Sequence, residues 1–226
     1  MPFRNRTEAG RKLADALRRF RGKDCVVYAL PRGGLPIGYE VAKSLHAPLD
    51  VVFVRKLKAP FQPELALGAV VDGEHPEVVL NDAAIEAYDP DGEAVKAAVA
   101  LELKEIHRRR MMYVANRHPE RATGRTAIVV DDGLATGATA RAAVRALRRQ
   151  NPKRVILAVP VAPVDTADVL GGEVDEFVAL ETPADFGAVS MFYDEFPQVT
   201  DQEVVAILAQ AREEHRRQSA RTAGDD

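Results

Sequence analysis

The alternation of short apolar runs with helical patterns constrains the fold more than any other feature of this sequence. Near-continuous runs of Val, Ile, Leu and Phe are typical of strands that are buried on both faces. We predict strands over Cys25–Leu30, Leu49–Lys56, Thr126–Val130, Arg154–Val161 and Glu176–Leu180. Helices are predicted over Thr7–Arg21, from Gly34 to about His46, and over Glu93–Asn116, Ala138–Gln150, Asp165–Leu170 and Thr200–Arg217. This order predicts an α/β fold, a parallel sheet flanked by helices.

Length, charge and cysteine content exclude several classes of protein. The chain has 226 residues, enough for one large domain or two small ones. Its 31 Lys and Arg residues nearly balance its 34 Asp and Glu residues, which argues against a dedicated nucleic-acid-binding protein. A single cysteine cannot form a disulfide framework or a multi-cysteine metal site. No apolar run reaches the roughly 18 residues of a membrane span, and the start has no apolar signal-peptide core, so we expect a cytoplasmic protein without a membrane partner.

The stretch between the second and third predicted core strands departs from the alternation. Residues 57–91 carry prolines at positions 60, 63, 76 and 90. Two of its segments, ELALGAVVDG and PEVVLND, could form a short hairpin. A long excursion of this kind is often functional, for example as a lid. We predict a lid loop over about residues 57–91, with Lys58, Gln62 and Glu64 as its polar candidates.

The segment AIVVDDGLATGATA, residues 127–140, carries the most chemistry. An apolar strand ends in Asp131 and Asp132, and a loop of small residues leads into the next helix. Ligands of parallel sheets bind beyond the carboxyl ends of the strands, where this loop falls. The free N–H groups at the helix start, with the hydroxyls of Thr136 and Thr139, suit a phosphate group. The two carboxylates suit sugar hydroxyls or a hydrated Mg²⁺, so the loop as a whole suits a ribose 5-phosphate.

Other interpretations of this segment explain less of it. No Lys follows Gly137, as the Walker pattern requires, and no G-x-G-x-x-G occurs in the chain. An ordinary strand-to-helix turn with threonine caps stays open. So does a metal-binding acidic pair like that of a phosphatase or a receiver domain, although that interpretation leaves the TGAT loop unexplained.

VVDDGLATGATA resembles the phosphoribosyl-pyrophosphate (PRPP) motif of type I phosphoribosyltransferases. PRGG, residues 31–34, is similar to the pyrophosphate loop of that family, and the stretch 57–91 lies where the family has a mobile loop. The segments FRNRTEAGRKLADAL, PELALGAV and FGAVSMFYDEFPQVTD look most like a group of bacterial phosphoribosyltransferases without an assigned base. The resemblance extends to about Ala211 and implies a Rossmann-like core in a single domain, for which we take residues 1–217. The tail 218–226 has nothing to bury, and we expect it to be disordered.

The resemblance implies that a ring nitrogen attacks C1 of PRPP and that pyrophosphate leaves. It implies Mg²⁺ as cofactor, held by Asp131 and Asp132 directly or through water, and the same two carboxylates on the ribose hydroxyls. The implied site for the 5-phosphate is the loop of Ala135, Thr136, Gly137, Ala138 and Thr139. The implied pyrophosphate ligands are Arg32, Gly33, Gly34, Arg55 and Lys56. The implied catalytic residues are Asp131, Asp132, Lys56 and Arg32. Two simpler interpretations stay open: PRGG could be a plain turn, and Arg55 and Lys56 could be a solvated charge pair at a strand end.

The acceptor base is expected under a small C-terminal hood, about residues 183–200. Phe192 and Tyr193 could stack there on a nucleobase or related amine, or they could close the core. Hypoxanthine-guanine-type members carry an Asp before the Thr-Gly pair as acid/base, whereas this chain has Ala135, more like the adenine-type pattern. The acceptor and the general acid/base are therefore unassigned. A PRPP-binding regulator or sensor without turnover is the alternative function, and the resemblance suggests a homodimer.

Overall fold

A computed structural model of the protein describes residues 2–59, 62–72, 76–89, 91–114 and 118–222. Its helices are α1 (Arg6–Ala16), α2 (Gly34–Leu45), α3 (Asp82–Tyr88), α4 (Glu93–Tyr113), α5 (Ala138–Arg148), α6 (Val164–Gly171) and α7 (Asp201–Thr222). Its strands are β1 (Cys25–Ala29), β2 (Leu49–Val51), β3 (Val54–Ala59), β4 (Gln62–Val71), β5 (Glu77–Leu80), β6 (Thr126–Val130), β7 (Arg154–Val161) and β8 (Glu176–Glu181). Short 3₁₀-helices cover Arg18–Phe20 and Val189–Phe192.

Within these described ranges, five parallel strands form the central sheet, in the order β2-β1-β6-β7-β8. Strand β6 lies at the centre and is buried along its whole length. Helices α1, α2 and α7 cover one face of the sheet, where their apolar side chains pack on Val27 and Ile128. Helices α5 and α6 cover the other face, against Val26 and Val129. The predicted parallel sheet flanked by helices is confirmed.

The predicted strand Leu49–Lys56 is in fact two strands that belong to different sheets. Strand β2 pairs with β1 in the central sheet, whereas β3 pairs with β4 in a second sheet. Between them, Val52 N–H still donates to the carbonyl of Ala29 in the central sheet. The carbonyl of the next residue, Phe53, accepts instead from the N–H of Asp72, which directly follows β4. The apolar run Val51–Val54 continues without a break from the end of β2 to the start of β3, so the sequence carries no mark of this change of sheet.

Residues 57–91 do not form the long lid loop that the sequence predicts. Strands β3, β4 and β5 form an antiparallel sheet, and helix α3 follows it. The predicted hairpin is confirmed as the β4–β5 pair. The physical reason is burial: Leu57, Leu67 and Val70 are fully enclosed in the same hydrophobic cluster as the central sheet. Pro60, Phe61, residues 73–75 and Pro90 lie outside the described residues.

The C-terminal hood is tied to the N-terminus of the chain. Phe3 N–H donates to the carbonyl of Phe192, and Asp194 N–H donates back to the carbonyl of Phe3. Helix α7 then begins with the predicted capping box, in which Thr200 and Glu203 bond reciprocally. The helix continues to Thr222, so the predicted helix end near Arg217 and the disorder predicted for residues 218–222 are wrong. Residues 223–226 lie outside the described part of the chain.

Among the helices described, none is both long enough and apolar enough to cross a membrane.

Candidate active site

The acidic pair lies at the carboxyl edge of the central sheet, directly after β6. Asp132 N–H donates to Oδ1 of Asp131 over 2.9 Å, so the first carboxylate fixes the backbone of the second. Oδ2 of Asp132 accepts a hydrogen bond of 2.8 Å from Nε of Arg6, at the first residue of α1. The pair is therefore held from below by the sheet and from one side by the N-terminal helix.

Burial raises the pKa of both carboxyl groups. The pKa of Asp131 is well above its ordinary value because the group is desolvated and because the carboxylate of Asp132 lies beside it. Burial also raises the pKa of Asp132, but the guanidinium of Arg6 opposes that shift. Two adjacent desolvated carboxylates, of which Asp132 is paired with Arg6, favour any ligand that donates hydrogen bonds or brings positive charge.

The PRGG loop lies against the acidic pair. Gly33 precedes α2, and a Cβ atom at this position would overlap the carboxylate of Asp132. A Cβ atom on Gly34 would stand 2.9 Å from the carbonyl oxygen of Val130, at the end of β6. From the sequence, the two glycines are expected to expose backbone N–H groups to an anion. The structure adds a second reason for glycine at both positions: a side chain would collide with the end of β6 or with the loop that follows it. The peptide bond Pro31–Arg32 is cis.

Arg32 is paired with the start of the last helix. Its Nη1 stands 3.6 Å from Oδ1 of Asp201, the first residue of α7, and the hydroxyl of Tyr113 donates to the same carboxylate oxygen. Burial and this carboxylate raise the pKa of Tyr113 to about 12. The guanidinium of Arg32 is thus held by Asp201 of α7, whose carboxylate is in turn bonded to Tyr113 of α4.

The phosphate loop, residues 135–139, leads into α5. Gly137 has φ +69°, and a Cβ atom there would stand 2.6 Å from Leu170 on α6, so both the backbone angle and the packing require glycine. The hydroxyl of Thr166, also on α6, donates to the carbonyl of Ala135 over 2.8 Å. Ala135, Thr136 and Ala138 are exposed. In the described structure no side chain caps the N-terminus of α5 with a short bond, which leaves its first N–H groups to an anion.

An open cleft of about 390 Å³ lies beside Asp132 and the PRGG loop. It is lined by Arg6, Arg32, Gly33, Asp132, Phe196, Gln198 and Val199. Asp132, the PRGG loop and the hood therefore face one space.

The family model of the phosphoribosyl transferase domain matches residues 4–182 of this chain. The chain belongs to this family. It is a type I phosphoribosyltransferase by fold, and its base specificity is unassigned.

The chain is similar to proteins of two bacteria. It is 48% identical over 209 residues, 92% of this chain, to a protein of Mycobacterium tuberculosis from strains CDC 1551 / Oshkosh and H37Rv, whose name, phosphoribosyl transferase, is provisional. The match covers 47% of the mycobacterial protein, so this chain spans about half the length of those relatives. A crystal structure from Thermus thermophilus has 42% sequence identity, covers 93% of this chain and 99% of that chain, and superposes with a TM-score of 0.79.

The two aromatic residues predicted for base stacking lie in different surroundings. Tyr193 is 6% exposed, packs on Phe3 and donates its hydroxyl to the carbonyl of Asp132, so its ring lies in the core, as the alternative of core closure predicts. Phe192 is half-buried and stacks on Phe186 at 5.3 Å between ring centroids. The aromatic ring that lines the cleft is that of Phe196, and the guanidinium of Arg6 lies 3.7 Å from its centroid.

Two of the predicted pyrophosphate ligands belong to the second sheet. Arg55 lies on β3, and its Nε bonds Oε2 of Glu102 on α4 at 2.6 Å, so it is the partner of that carboxylate. Lys56 follows on the same strand and is exposed. Among the lid candidates, Lys58 is exposed on β3, whereas the side chains of Gln62 and Glu64 lie outside the described residues.

Sequence reasoning missed four residues of the site: Arg6, Thr166, Phe196 and Asp201. Each belongs to a segment whose local pattern indicates only a helix or an apolar hood. Phe196 lies in the aromatic hood segment, which is a usable signal. For Arg6 there is none, because it is one of several arginines around α1 and its partner Asp132 is 126 residues away.

Proposed function

We propose that this domain transfers the 5-phosphoribosyl group of PRPP to a nitrogenous base and releases pyrophosphate. The observation that carries the proposal is the meeting of three loops at one edge of the sheet. The acidic pair, the phosphate loop at the start of α5 and the PRGG loop at the start of α2 all follow parallel strands or open helices there. In PRPP, the ribose diol lies between the 5-phosphate and the pyrophosphate. The phosphate loop, the acidic pair and the PRGG loop offer matching groups in the same order.

Asp131 and Asp132 would bind the two ribose hydroxyls, because ionised carboxylates accept hydrogen bonds and hydroxyls donate them. The N–H groups of residues 135–139, with the hydroxyls of Thr136 and Thr139, would bind the 5-phosphate at the positive end of α5. These two contacts would fix the sugar ring between β6 and α5, so that C1 faces the cleft.

Arg32 and the N–H groups of Gly33 and Gly34 would hold the leaving pyrophosphate, and Lys56 is proposed to approach it from the second sheet. The transition state of such a displacement carries positive charge on the sugar. The buried carboxylates of Asp131 and Asp132 would stabilise that charge in a site of low dielectric constant. Placement of the sugar, the anion and the base then supplies most of the catalysis.

The acidic pair fits Mg²⁺ as the cofactor. The described residues include no group of three or more His, Cys, Asp or Glu side chains that could hold a metal ion alone. A pair of buried carboxylates instead suits a cation that keeps several waters and takes further oxygen ligands from a substrate, as Mg²⁺ does. Bound there, Mg²⁺ would neutralise charge on the leaving pyrophosphate.

One observation favours the alternative, a regulator that binds PRPP without turnover. Ala135 is exposed in the phosphate loop, at the position where an acid/base carboxylate stands in hypoxanthine-guanine-type members. In a regulator, PRPP would change the affinity for a partner and no pyrophosphate would be released.

The test measures pyrophosphate release from Mg²⁺ and PRPP with a pool of purines, pyrimidines and related amines, and PRPP binding by calorimetry. Asp131→Asn and Asp132→Asn are each expected to weaken turnover or PRPP binding by about 10-fold or more, roughly 1.4 kcal/mol, because charge-assisted hydrogen bonds are lost. Asp15→Asn, which removes an exposed carboxylate on α1, is the matched control and is expected to behave as wild type.

Base-dependent release by the wild type would support the enzyme, and the mass of the product would identify its acceptor. Binding of PRPP without release across the pool would favour the regulator. If the wild type binds no PRPP, or if the Asp131→Asn/Asp132→Asn double variant binds it as well as wild type does, the site assignment is wrong.

A further inference from the structure

Arg6 connects three parts of the molecule that meet at the acidic pair. Arg6 is only 9% exposed although its side chain carries a charged guanidinium group. Nε donates to Oδ2 of Asp132 over 2.8 Å, and Nη1 donates to the carbonyl of Pro197 in the hood over 2.7 Å. The guanidinium group lies over the ring of Phe196, with 3.7 Å from its central carbon to the ring centroid. One side chain therefore touches the acidic pair, the hood backbone and the aromatic wall of the cleft.

The backbone around Arg6 is fixed on both sides. The side chain of Asn5 caps α1 by accepting from Glu8 N–H. Before it, Phe3 and Arg4 pair with the hood through the bonds between Phe3 and Asp194 and between Arg4 and Glu195. The guanidinium thus has a defined origin, and its two hydrogen bonds point in different directions from one rigid group.

The carboxylate of Asp132 has little freedom between Arg6 and the PRGG loop. Gly33 leaves just enough space for it, since a Cβ atom at that position would overlap it. Arg6 engages Oδ2 from the other side. A carboxylate held in this way presents a fixed orientation to the cleft, and a bound diol needs such an orientation because its two hydroxyls are themselves fixed on the sugar ring.

We propose that Arg6 is a positioning residue, which holds the carboxylate of Asp132 in the orientation that binds the ribose hydroxyls of PRPP. This inference rests on the proposed function and extends it: the N-terminal segment, residues 3–6, is part of the PRPP site. Arg6 acts through Asp132 and needs no contact with the sugar.

The geometry requires arginine at this position. A guanidinium forms two hydrogen bonds in divergent directions and stacks on an aromatic ring with its flat face. A lysine ammonium would keep the positive charge, but it has neither the planar fork nor the flat face. Arg6→Lys is therefore expected to retain only part of the effect of Arg6.

A double-mutant cycle in PRPP affinity tests this role. Calorimetry in Mg²⁺ buffer compares wild type, Arg6→Gln, Asp132→Ala and the double variant. We expect Arg6→Gln to weaken PRPP binding about 10-fold and Arg6→Lys to weaken it less. In the Asp132→Ala background, Arg6→Gln should change the affinity by less than about 2-fold, because the side chain that Arg6 orients is already gone. Arg11→Gln, an exposed arginine of the same helix paired with Glu40 at 3.3 Å, is the control and should bind PRPP as wild type does.

Thermal unfolding of each variant, with binding measured well below the lowest midpoint, separates positioning from folding. If Arg6→Gln does not fold, the same cycle is run with Arg6→Lys. Weakening that is equal in both backgrounds would overturn the proposal, since Arg6 would then act independently of Asp132. Wild-type affinity in Arg6→Gln would overturn it as well. If wild type itself binds no PRPP, the proposed function fails and this role of Arg6 fails with it.

Discussion

Asp131 lies where its charge destabilises the folded protein. Its carboxylate is desolvated beside that of Asp132, and it accepts a hydrogen bond from Asp132 N–H. Burial and the neighbouring charge raise its pKa, so the folded state binds the proton more tightly than the unfolded state does. Stability is therefore lost as the pH rises from about 4, the ordinary Asp pKa, through the raised pKa in the folded state.

We predict that Asp131→Asn stabilises the metal-free protein at neutral pH while it weakens PRPP binding. The amide keeps an oxygen that can accept from Asp132 N–H but removes the repelled charge, so we expect a gain of about 1 kcal/mol, or roughly 2–4 °C in the unfolding midpoint. Scanning calorimetry with a chelator present measures it at neutral pH and near pH 4, where the gain should shrink as the wild-type carboxyl takes up its proton. Asp15→Asn should change stability by no more than about 0.5 kcal/mol, and a destabilised Asp131→Asn variant would contradict the prediction.

At the scale of elements, α6 supports the phosphate loop from outside the motif. Thr166 donates its hydroxyl to the carbonyl of Ala135, and Leu170 fills the space that a side chain at Gly137 would need. The PRPP motif runs from β6 to α5, but the shape of its loop depends on a helix that follows the next strand. A short helix with a plain sequence thereby becomes part of the proposed phosphate site.

We predict that Thr166→Val weakens PRPP binding a few-fold and that Thr166→Ser does not. Valine keeps the shape of the side chain but loses a hydrogen bond with a net contribution of about 1 kcal/mol to the order of the loop, whereas serine keeps the hydroxyl. Calorimetric titration of both variants with PRPP measures the difference. Equal affinities of the two variants would show that the hydroxyl does not hold the loop.

At the scale of the whole molecule, the second sheet is not an appendage. Leu67 and Val70 of β4 belong to the cluster beneath α1, α2 and α7, while Ala69 and Val71 of the same strand belong to the cluster beneath α5. One strand therefore contributes to both hydrophobic clusters. This sharing opposes independent opening of β3–β5 as a rigid lid.

We predict that Leu67→Ala destabilises the whole protein by about 2–5 kcal/mol, because it leaves a cavity in a shared core. Hydrogen exchange followed by mass spectrometry should show peptides from β4 and from β6 losing protection together. Val205→Ala, at a partly exposed position on α7, is a matched control with a small expected effect. Loss of protection confined to β4 would contradict the prediction and restore the view of the second sheet as a separate unit.

Local pattern determined much of this protein from the sequence alone. Continuous apolar runs predicted the strands of the central sheet, and the order of strands and helices predicted parallel pairing. Asp131, Asp132 and the loop at residues 135–139 could be placed at the carboxyl edge of the sheet because they are contiguous with β6 and α5. Such features depend on neighbours within a few residues, which is what a sequence displays directly.

Only the tertiary structure decided which distant segments meet. The change of sheet between Val51 and Val54, the burial of Tyr193 and the contact of Arg6 with Asp132 all depend on packing across the chain. An arginine 126 residues from its carboxylate partner has no local signal, because a charged residue near a helix start is ordinarily solvated. Its environment exists only once α1, β6 and the hood have packed together, and there the loss of water makes a specific partner necessary.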